Sequence, residues 1–284
     1  MTLSMHGPAA VEHQPPTPAE PRSAGYIVGP AYDLLVFVLS PLLAMAVGLL
    51  LFEQPLANLP ITAGGWNPRF SQPFALFFIA VFTHAHLVIV FFRSHANRKI
   101  YDQHPLRFRV APIALLVAML TWQWVFVVVG VLVVWWDVYH SSLQTFGLGR
   151  IYDVRAGNSP LVGRRLDMLL NLILYTGPVL GGVNLWEHAK HFEAFARVDA
   201  HSLASLGQAL VHRQPELRLA ILGLGIPLLL AWIAFYWRES AAGRYRMPRQ
   251  KLLLVMATGT TSVVAWGTLS TGEAFFIMNF FHAL

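Results

Sequence analysis

The sequence predicts an all-α fold, a polytopic transmembrane helical bundle with about seven spans and a partial or re-entrant eighth segment at the C-terminus. Hydrophobic residues make up 56% of the 284 residues, charged residues make up only 12%, and the mean hydropathy is +0.53. A soluble domain carries about 25% charged residues. Several apolar runs also approach the roughly 20 residues that cross a bilayer. This composition excludes a soluble catalytic domain.

The N-terminal residues differ in composition from the rest of the chain. Residues 1–25 are rich in Pro, Ala, Ser and Glu and have no apolar periodicity, which predicts a disordered cytoplasmic tail. Residues 26–284 are predicted to form a single transmembrane helical domain. Within that domain, residues 186–216 carry mixed charge and predict a polar, non-cytoplasmic segment that includes a surface or interfacial helix.

The apolar runs define the spans in order along the chain. Residues 110–146 are apolar almost throughout, which is too long for one span, so we divide this run near residues 121–124. The fifth run is interrupted by Gly177-Pro178, and the last run ends about halfway across a bilayer. The predicted spans are residues 31–52, 73–92, 108–120, 124–146, 166–185, 217–237 and 252–269, followed by the partial segment 272–284.

Basic residues indicate the orientation of these spans. Most of the 20 Lys and Arg residues lie in the loops that follow the second, fourth and sixth spans, so they share one side of the membrane. By the positive-inside rule this side is cytoplasmic, as is the N-terminus. We therefore expect a multi-pass protein of the inner (plasma) membrane. The net charge of +6 reflects this topology and does not indicate nucleic-acid binding.

An unusual polar pair lies near the end of the fourth predicted span. Asp137 and His140 are three residues apart, so they project from one face of a helix, and Gln144 follows on the same face. Ionisable side chains at membrane depth are energetically costly and indicate a functional site. We predict that Asp137 and His140 are catalytic residues.

Histidines from other spans are predicted to lie at a similar depth. His84 and His86 in the second span and His282 in the last segment fall in the cytoplasmic half of the bundle, as does the Asp137–His140 pair. His84 and His86 point about 200° apart on an ideal helix, so they serve one centre only with local distortion, or two centres without it. His95 follows His84 by almost three turns. The predicted metal ligands are His84, His86, His95, Asp137, His140 and His282.

These residues favour a histidine-ligated metalloenzyme. The chain has no cysteine, so thiolate ligands are excluded, whereas imidazole and carboxylate suit iron with open positions for oxygen activation. We predict an iron-dependent oxidoreductase with a non-haem centre, mononuclear or dinuclear, acting on a lipid-like substrate near the cytoplasmic face. The arrangement is similar to that of membrane fatty-acid hydroxylases and desaturases, but their HxxxH and HxxHH boxes are absent. Membrane lipids, a hydrophobic small-molecule substrate and an electron donor are the expected partners.

Two alternative functions remain open from the sequence. A b-type haem electron-transfer protein would use two histidines on facing helices, such as His84 and His140, and Arg150 would bind a haem propionate or an acidic headgroup. A proton-coupled transporter would use Asp137 and His140 as a relay. The interruptions in the fifth span favour this transporter, although the sequence shows no pair of matching halves.

Overall fold

Helices account for nearly all of the described chain. The structure, a computed structural model, describes residues 25–52 and 72–282; within its helices the side chains of residues 51–52, 72–80, 82–83, 271 and 281–282 are not described. No strand occurs in these ranges, so the predicted all-α class is confirmed for them. The predicted tail lies outside the described residues apart from Gly25.

Within residues 25–52 and 72–282, twelve helices follow one another, and short π-helical or 3-10 pieces lie between some of them. A π-helical stretch, Asp33–Val38, joins the first two helices, another, Leu106–Val110, precedes the fifth, and a 3-10 segment, Lys190–Val198, follows the eighth. The helices are α1 (Pro30–Tyr32), α2 (Ser40–Phe52), α3 (Gln72–Ser94), α4 (Arg98–Gln103), α5 (Ala111–Thr121), α6 (Gln123–Arg155), α7 (Arg164–Gly181), α8 (Leu185–Ala189), α9 (His201–His212), α10 (Gln214–Ala241), α11 (Arg249–Thr268) and α12 (Thr271–His282).

Two of these helices are long and apolar enough to cross a membrane, namely α6 and α10. The number rises to four if two bent pairs each form one span: Pro30–Val38 with Ser40–Leu50, bent by 50°, and Arg164–Gly181 with Leu185–Val198, bent by 92°. Within the described residues, two to four helices therefore qualify as spans by length and composition. The predicted count of about seven plus a partial eighth is not reached on this test.

The helix boundaries differ from the sequence prediction at one important place. The break between α5 and α6 lies at Trp122, whose backbone is extended, inside the predicted division. However, α6 does not end near residue 146; it continues to Arg155, and its last turns bury Arg150, Tyr152 and Asp153. Glycines at 147 and 149 do not stop the helix, because packing against neighbouring helices outweighs their weak helix propensity of about 1 kcal/mol each.

The centre of the fold is formed by α6, α7 and α11, which pack against one another, with α10 on the outside of α7. The C-terminal helix α12 contacts α2, α3 and α11 and buries Ala274, Phe276 and Ile277 in the largest hydrophobic cluster. This packing shows why a short apolar helix is stable here, since its apolar face is covered by protein.

The segment between α7 and α10 is less exposed than its polar composition predicts. The short helix α8 buries Leu185, His188 and Ala189. A Cβ added at Gly207 of α9 would lie 2.2 Å from the Ala189 carbonyl oxygen, so the backbones of α8 and α9 are in direct contact. Glycine at 207 thus allows α8 and α9 to pack with their backbones in contact.

Replacing Gly163 with alanine is expected to lower the free energy of unfolding by about 2–3 kcal/mol. Gly163 precedes α7 with φ +67, and an added Cβ would lie 2.2 Å from the Tyr236 hydroxyl oxygen. Gly157→Ala is the matched control, because Gly157 has φ +85 but no atom within 4 Å of the added Cβ. Thermal melting in detergent should show the larger loss for Gly163→Ala; equal losses would contradict the steric part of this account.

Candidate functional site

The structure brings three of the predicted site residues together. His86 on α3 faces His140 on α6, with ring centroids 6.5 Å apart and ring planes inclined by 68°. Asp137 lies one turn before His140 and interacts electrostatically with both imidazoles. His86 and Asp137 are half-buried, and His140 is exposed. A carboxylate and two imidazoles from two helices therefore form one polar group, named below the His86–Asp137–His140 group.

The other predicted ligands with described side chains are His84 and His95. His84 is exposed on α3, two residues before His86, as expected from the angle between successive side chains of a helix. His95 lies beyond the end of α3 in an aromatic cluster, stacked on Phe91 at 5.0 Å and packed edge-on against Phe108 at 5.1 Å. A hydrogen bond of 2.9 Å joins its Nδ1 to the Ser94 hydroxyl. His95 therefore has local partners of its own.

His282 is the remaining predicted ligand, and its side chain lies outside the described residues. Its backbone is the last residue of α12, a helix that contacts α3. Searched over the described residues alone, no group of three or more His, Asp or Glu side chains is placed to hold a metal ion. The side chains of the His86–Asp137–His140 group are therefore neighbouring candidate ligands, and they are not arranged as a complete coordination shell.

Arg150 lies in a second polar site, which the sequence does not reveal. Its Nη1 forms ion pairs with Asp153, at 2.8 Å, and with Asp167 on α7. Arg150 is only 8% exposed, and both carboxylates are buried. The Arg150 guanidinium was predicted from the sequence to bind a haem propionate or an acidic headgroup. In the structure it is paired with these two carboxylates instead.

Lys251 completes this buried charge cluster, which consists of Arg150, Asp153, Asp167 and Lys251. The ammonium of Lys251 lies 2.9 Å from Asp153 Oδ2 and 2.8 Å from Asp167 Oδ2. Two cations and two carboxylates balance one another in a space almost closed to solvent. Removing charges from water costs several kcal/mol for each ion, so such a cluster is stable only when every charge has its partners.

Aromatic side chains supply further hydrogen bonds to the cluster. Trp232 Nε1 donates to Asp167 Oδ1 at 2.7 Å, and the Tyr236 hydroxyl donates to the same carboxylate at 2.9 Å. The Tyr245 hydroxyl, from the loop after α10, donates to Asp153. Burial, together with the nearby Asp153 carboxylate, raises the pKa of Tyr245 above its ordinary value, so the phenol remains a donor. The cluster thus joins α6, α7, α10 and α11 at one end of the bundle.

Polar side chains also connect the two sites along α6. Between Asp137 and Arg150, the helix buries Ser141, Ser142 and Thr145. The Thr145 hydroxyl lies 2.6 Å from the hydroxyl of Tyr175, a fully buried residue of α7. This contact and the charge cluster fix the rotation of α6 relative to α7, and they thereby fix the direction in which Asp137 and His140 project.

The polar segment of residues 186–216 contains a buried histidine that the sequence did not indicate as a site residue. His188 on α8 packs between two indoles, with ring centroids 5.8 Å from Trp135 and 5.1 Å from Trp266. Its Nδ1 lies 3.2 Å from the Asn184 carbonyl oxygen. Trp135 also packs against the largest hydrophobic cluster, so this indole connects His188 to the core of the bundle.

No protein-family model, curated protein or solved structure matches this sequence.

Proposed function

We propose that this chain is a multi-pass integral membrane protein that binds iron with His86, Asp137 and His140 and acts as an oxidoreductase on a hydrophobic substrate. The observation that supports this proposal is the approach of His86 and His140 to 6.5 Å between ring centroids, with Asp137 one helical turn away. The proposal includes the finer topology: about seven spans plus a partial eighth, a cytoplasmic N-terminus and the inner (plasma) membrane as location.

The chemistry of the donor set favours iron among the common metals. Two imidazoles and one carboxylate with open positions form the ligand set of non-haem iron oxygenases, whereas magnesium and calcium prefer oxygen ligands alone. Because α12 contacts α3, His282 is the candidate for a further ligand. In this proposal, metal binding draws His86 and His140 together and sets the side-chain conformation of Asp137.

The surroundings of the group favour an apolar substrate. Leu87, Phe91 and Phe92 on α3 are more than half exposed, and so is Trp136 beside Asp137. In a membrane protein such side chains face lipid, so a hydrophobic molecule can reach the His86–Asp137–His140 group from the bilayer. An oxidoreductase of this kind also requires an external electron donor, which we expect to bind at the membrane surface.

A proton relay is the second candidate function. Carboxylate and imidazole are the side-chain types that form proton relays in membrane proteins. The buried hydroxyls of Thr145 on α6 and Tyr175 on α7 extend this polar region towards the charge cluster. In this case the group would carry protons for a transporter, and no metal would be involved.

Elemental analysis and an optical spectrum of the purified full chain separate these candidates. After anaerobic incubation with ferrous iron and removal of the excess, we expect about one or two iron atoms per chain and no Soret band. A Soret band would replace the non-haem proposal with the haem alternative. An iron content well below one atom per chain, with no haem band, would refute both metal proposals and leave the relay.

A further inference from the structure

A long apolar groove runs along the outside of the bundle, away from the His86–Asp137–His140 group. It encloses about 650 Å³ between α7, α10 and α11. Its walls include Leu170 and Ile173 of α7, Leu229 of α10 and Val263 of α11. Leu222 and Ile226 of α10 line it and are 49% and 55% exposed, so the groove is open along one side. An open apolar groove on a membrane-spanning helix faces the hydrocarbon of the bilayer.

Glycines keep the floor of this groove free of side chains. Gly177, Gly181 and Gly225 all line it. A Cβ added at Gly177 would lie 2.9 Å from Ile221 Cγ2, and one added at Gly225 would lie 3.2 Å from Ile173 Cγ2. The backbones of α7 and α10 therefore approach closely beneath the groove. The groove is deep because these positions are glycines, which have no side chain to fill it.

One end of the groove carries a cation. Arg218 of α10 lines it and donates from Nε to the Gly181 carbonyl oxygen at 2.8 Å, which holds the guanidinium at the end of α7. Among the described residues, no Asp or Glu forms an ion pair with Arg218, and the residue is exposed. Its two terminal nitrogens are therefore presented as a fork, the geometry that binds carboxylate or phosphate oxygens.

The length of the groove matches one leaflet of a bilayer. Leu170 and Gly181 mark its two ends on α7, and the 11 helical steps between them rise about 16 Å. Half of the roughly 30 Å hydrocarbon core is about 15 Å. A lipid with its head at Arg218 would therefore lay one acyl chain along the whole groove.

We propose that this groove binds an anionic phospholipid, with the phosphate on Arg218 and one acyl chain between α7, α10 and α11. The open side beside Leu222 and Ile226 leaves the second acyl chain in the bilayer, which favours a phospholipid over a free fatty acid. The site depends only on the chain being embedded in a membrane, and it stands independently of metal binding at the His86–Asp137–His140 group.

Native mass spectrometry of the full chain in mild detergent, titrated with defined lipids, tests this proposal. We expect phosphatidylglycerol to bind about fivefold more tightly than phosphatidylcholine, the ratio that one arginine near a membrane phosphate supplies. Arg218→Gln should remove this preference, and Arg218→Lys should retain part of it. Arg213→Gln is the matched control, because Arg213 immediately precedes α10 but does not line the groove.

A second pair of variants tests whether the acyl chain occupies the groove. Ile226→Trp should weaken binding of phosphatidylglycerol and phosphatidylcholine alike, whereas Leu230→Trp, one turn further and outside the groove lining, should leave both unchanged. Both side chains are exposed, and melting temperatures check that the variants remain folded. Equal affinity for the two phospholipids, an equal effect of Arg213→Gln and Arg218→Gln, or displacement of phosphatidylglycerol by equimolar oleate would overturn the proposal.

Discussion

Replacing Lys251 with methionine is expected to lower the free energy of unfolding by about 3–5 kcal/mol, because it leaves buried carboxylates without one of their two cations. Lys251 contacts both Asp153 and Asp167 and is 1% exposed. Arg150 alone would then face two carboxylates. Methionine has a similar volume to the lysine stem, so the loss reports on charge rather than on a cavity.

Thermal and SDS-induced unfolding of the detergent-solubilised chain measure this effect. Lys190→Met is the control, because Lys190 pairs with Glu187 at the surface and its loss should change stability by less than about 1 kcal/mol. Adding Asp153→Asn to Lys251→Met restores the charge balance and should recover about 1–2 kcal/mol. A Lys251→Met variant as stable as Lys190→Met would show that the cluster does not hold the four helices together.

Replacing His86 or His140 with alanine is expected to lower the affinity for iron at least about tenfold. Loss of a residue that only orients a metal ligand already costs 10–100-fold, and loss of the ligand itself should cost no less. The expectation for His86 comes from its position 6.5 Å from His140, centroid to centroid. Competition with a chromogenic chelator measures the affinity of the reconstituted chain.

His201→Ala is the matched control for these variants, since His201 is an exposed histidine at the start of α9. Asp137→Asn keeps the size of the side chain and removes its charge, so it should weaken iron binding without a large change in melting temperature. Unchanged affinity in both His86→Ala and His140→Ala would rule out a centre shared by α3 and α6. A loss in His140→Ala alone would remove His86 from the ligand set.

Local patterns in the sequence predict a large part of the fold. The excess of apolar residues and the lengths of the apolar runs predict an all-helical membrane protein, and the described residues are all-helical with two to four candidate spans. The break at Trp122 follows from the excessive length of the run around it. The common face of Asp137 and His140 follows from the helical period alone.

Contacts between distant residues are not visible in these patterns. The sequence predicts Lys251 to lie in a basic loop that sets the topology, whereas the structure places it in the first turn of α11. Its ammonium is buried against carboxylates 84 and 98 residues away in the chain. The continuation of α6 beyond residue 146 depends on the same cluster, because the helical conformation of residues 147–155 places Arg150 and Asp153 in it. The sequence offers one indication of this cluster, namely that two acidic residues, Asp153 and Asp167, lie within a basic stretch.

The sequence by itself determined the helical class, the apolar character of the helices and the pairing of Asp137 with His140 on one face. Those properties depend on composition and on the spacing of neighbours, which are set along the chain. Only the tertiary structure decided that His86 is the neighbour of His140. The same is true of the ion pairs that Arg150 forms with Asp153 and Asp167, and of the position of Arg218 at the end of an apolar groove. Each of these depends on how helices rotate and approach one another, and that is set by packing among residues far apart in the sequence.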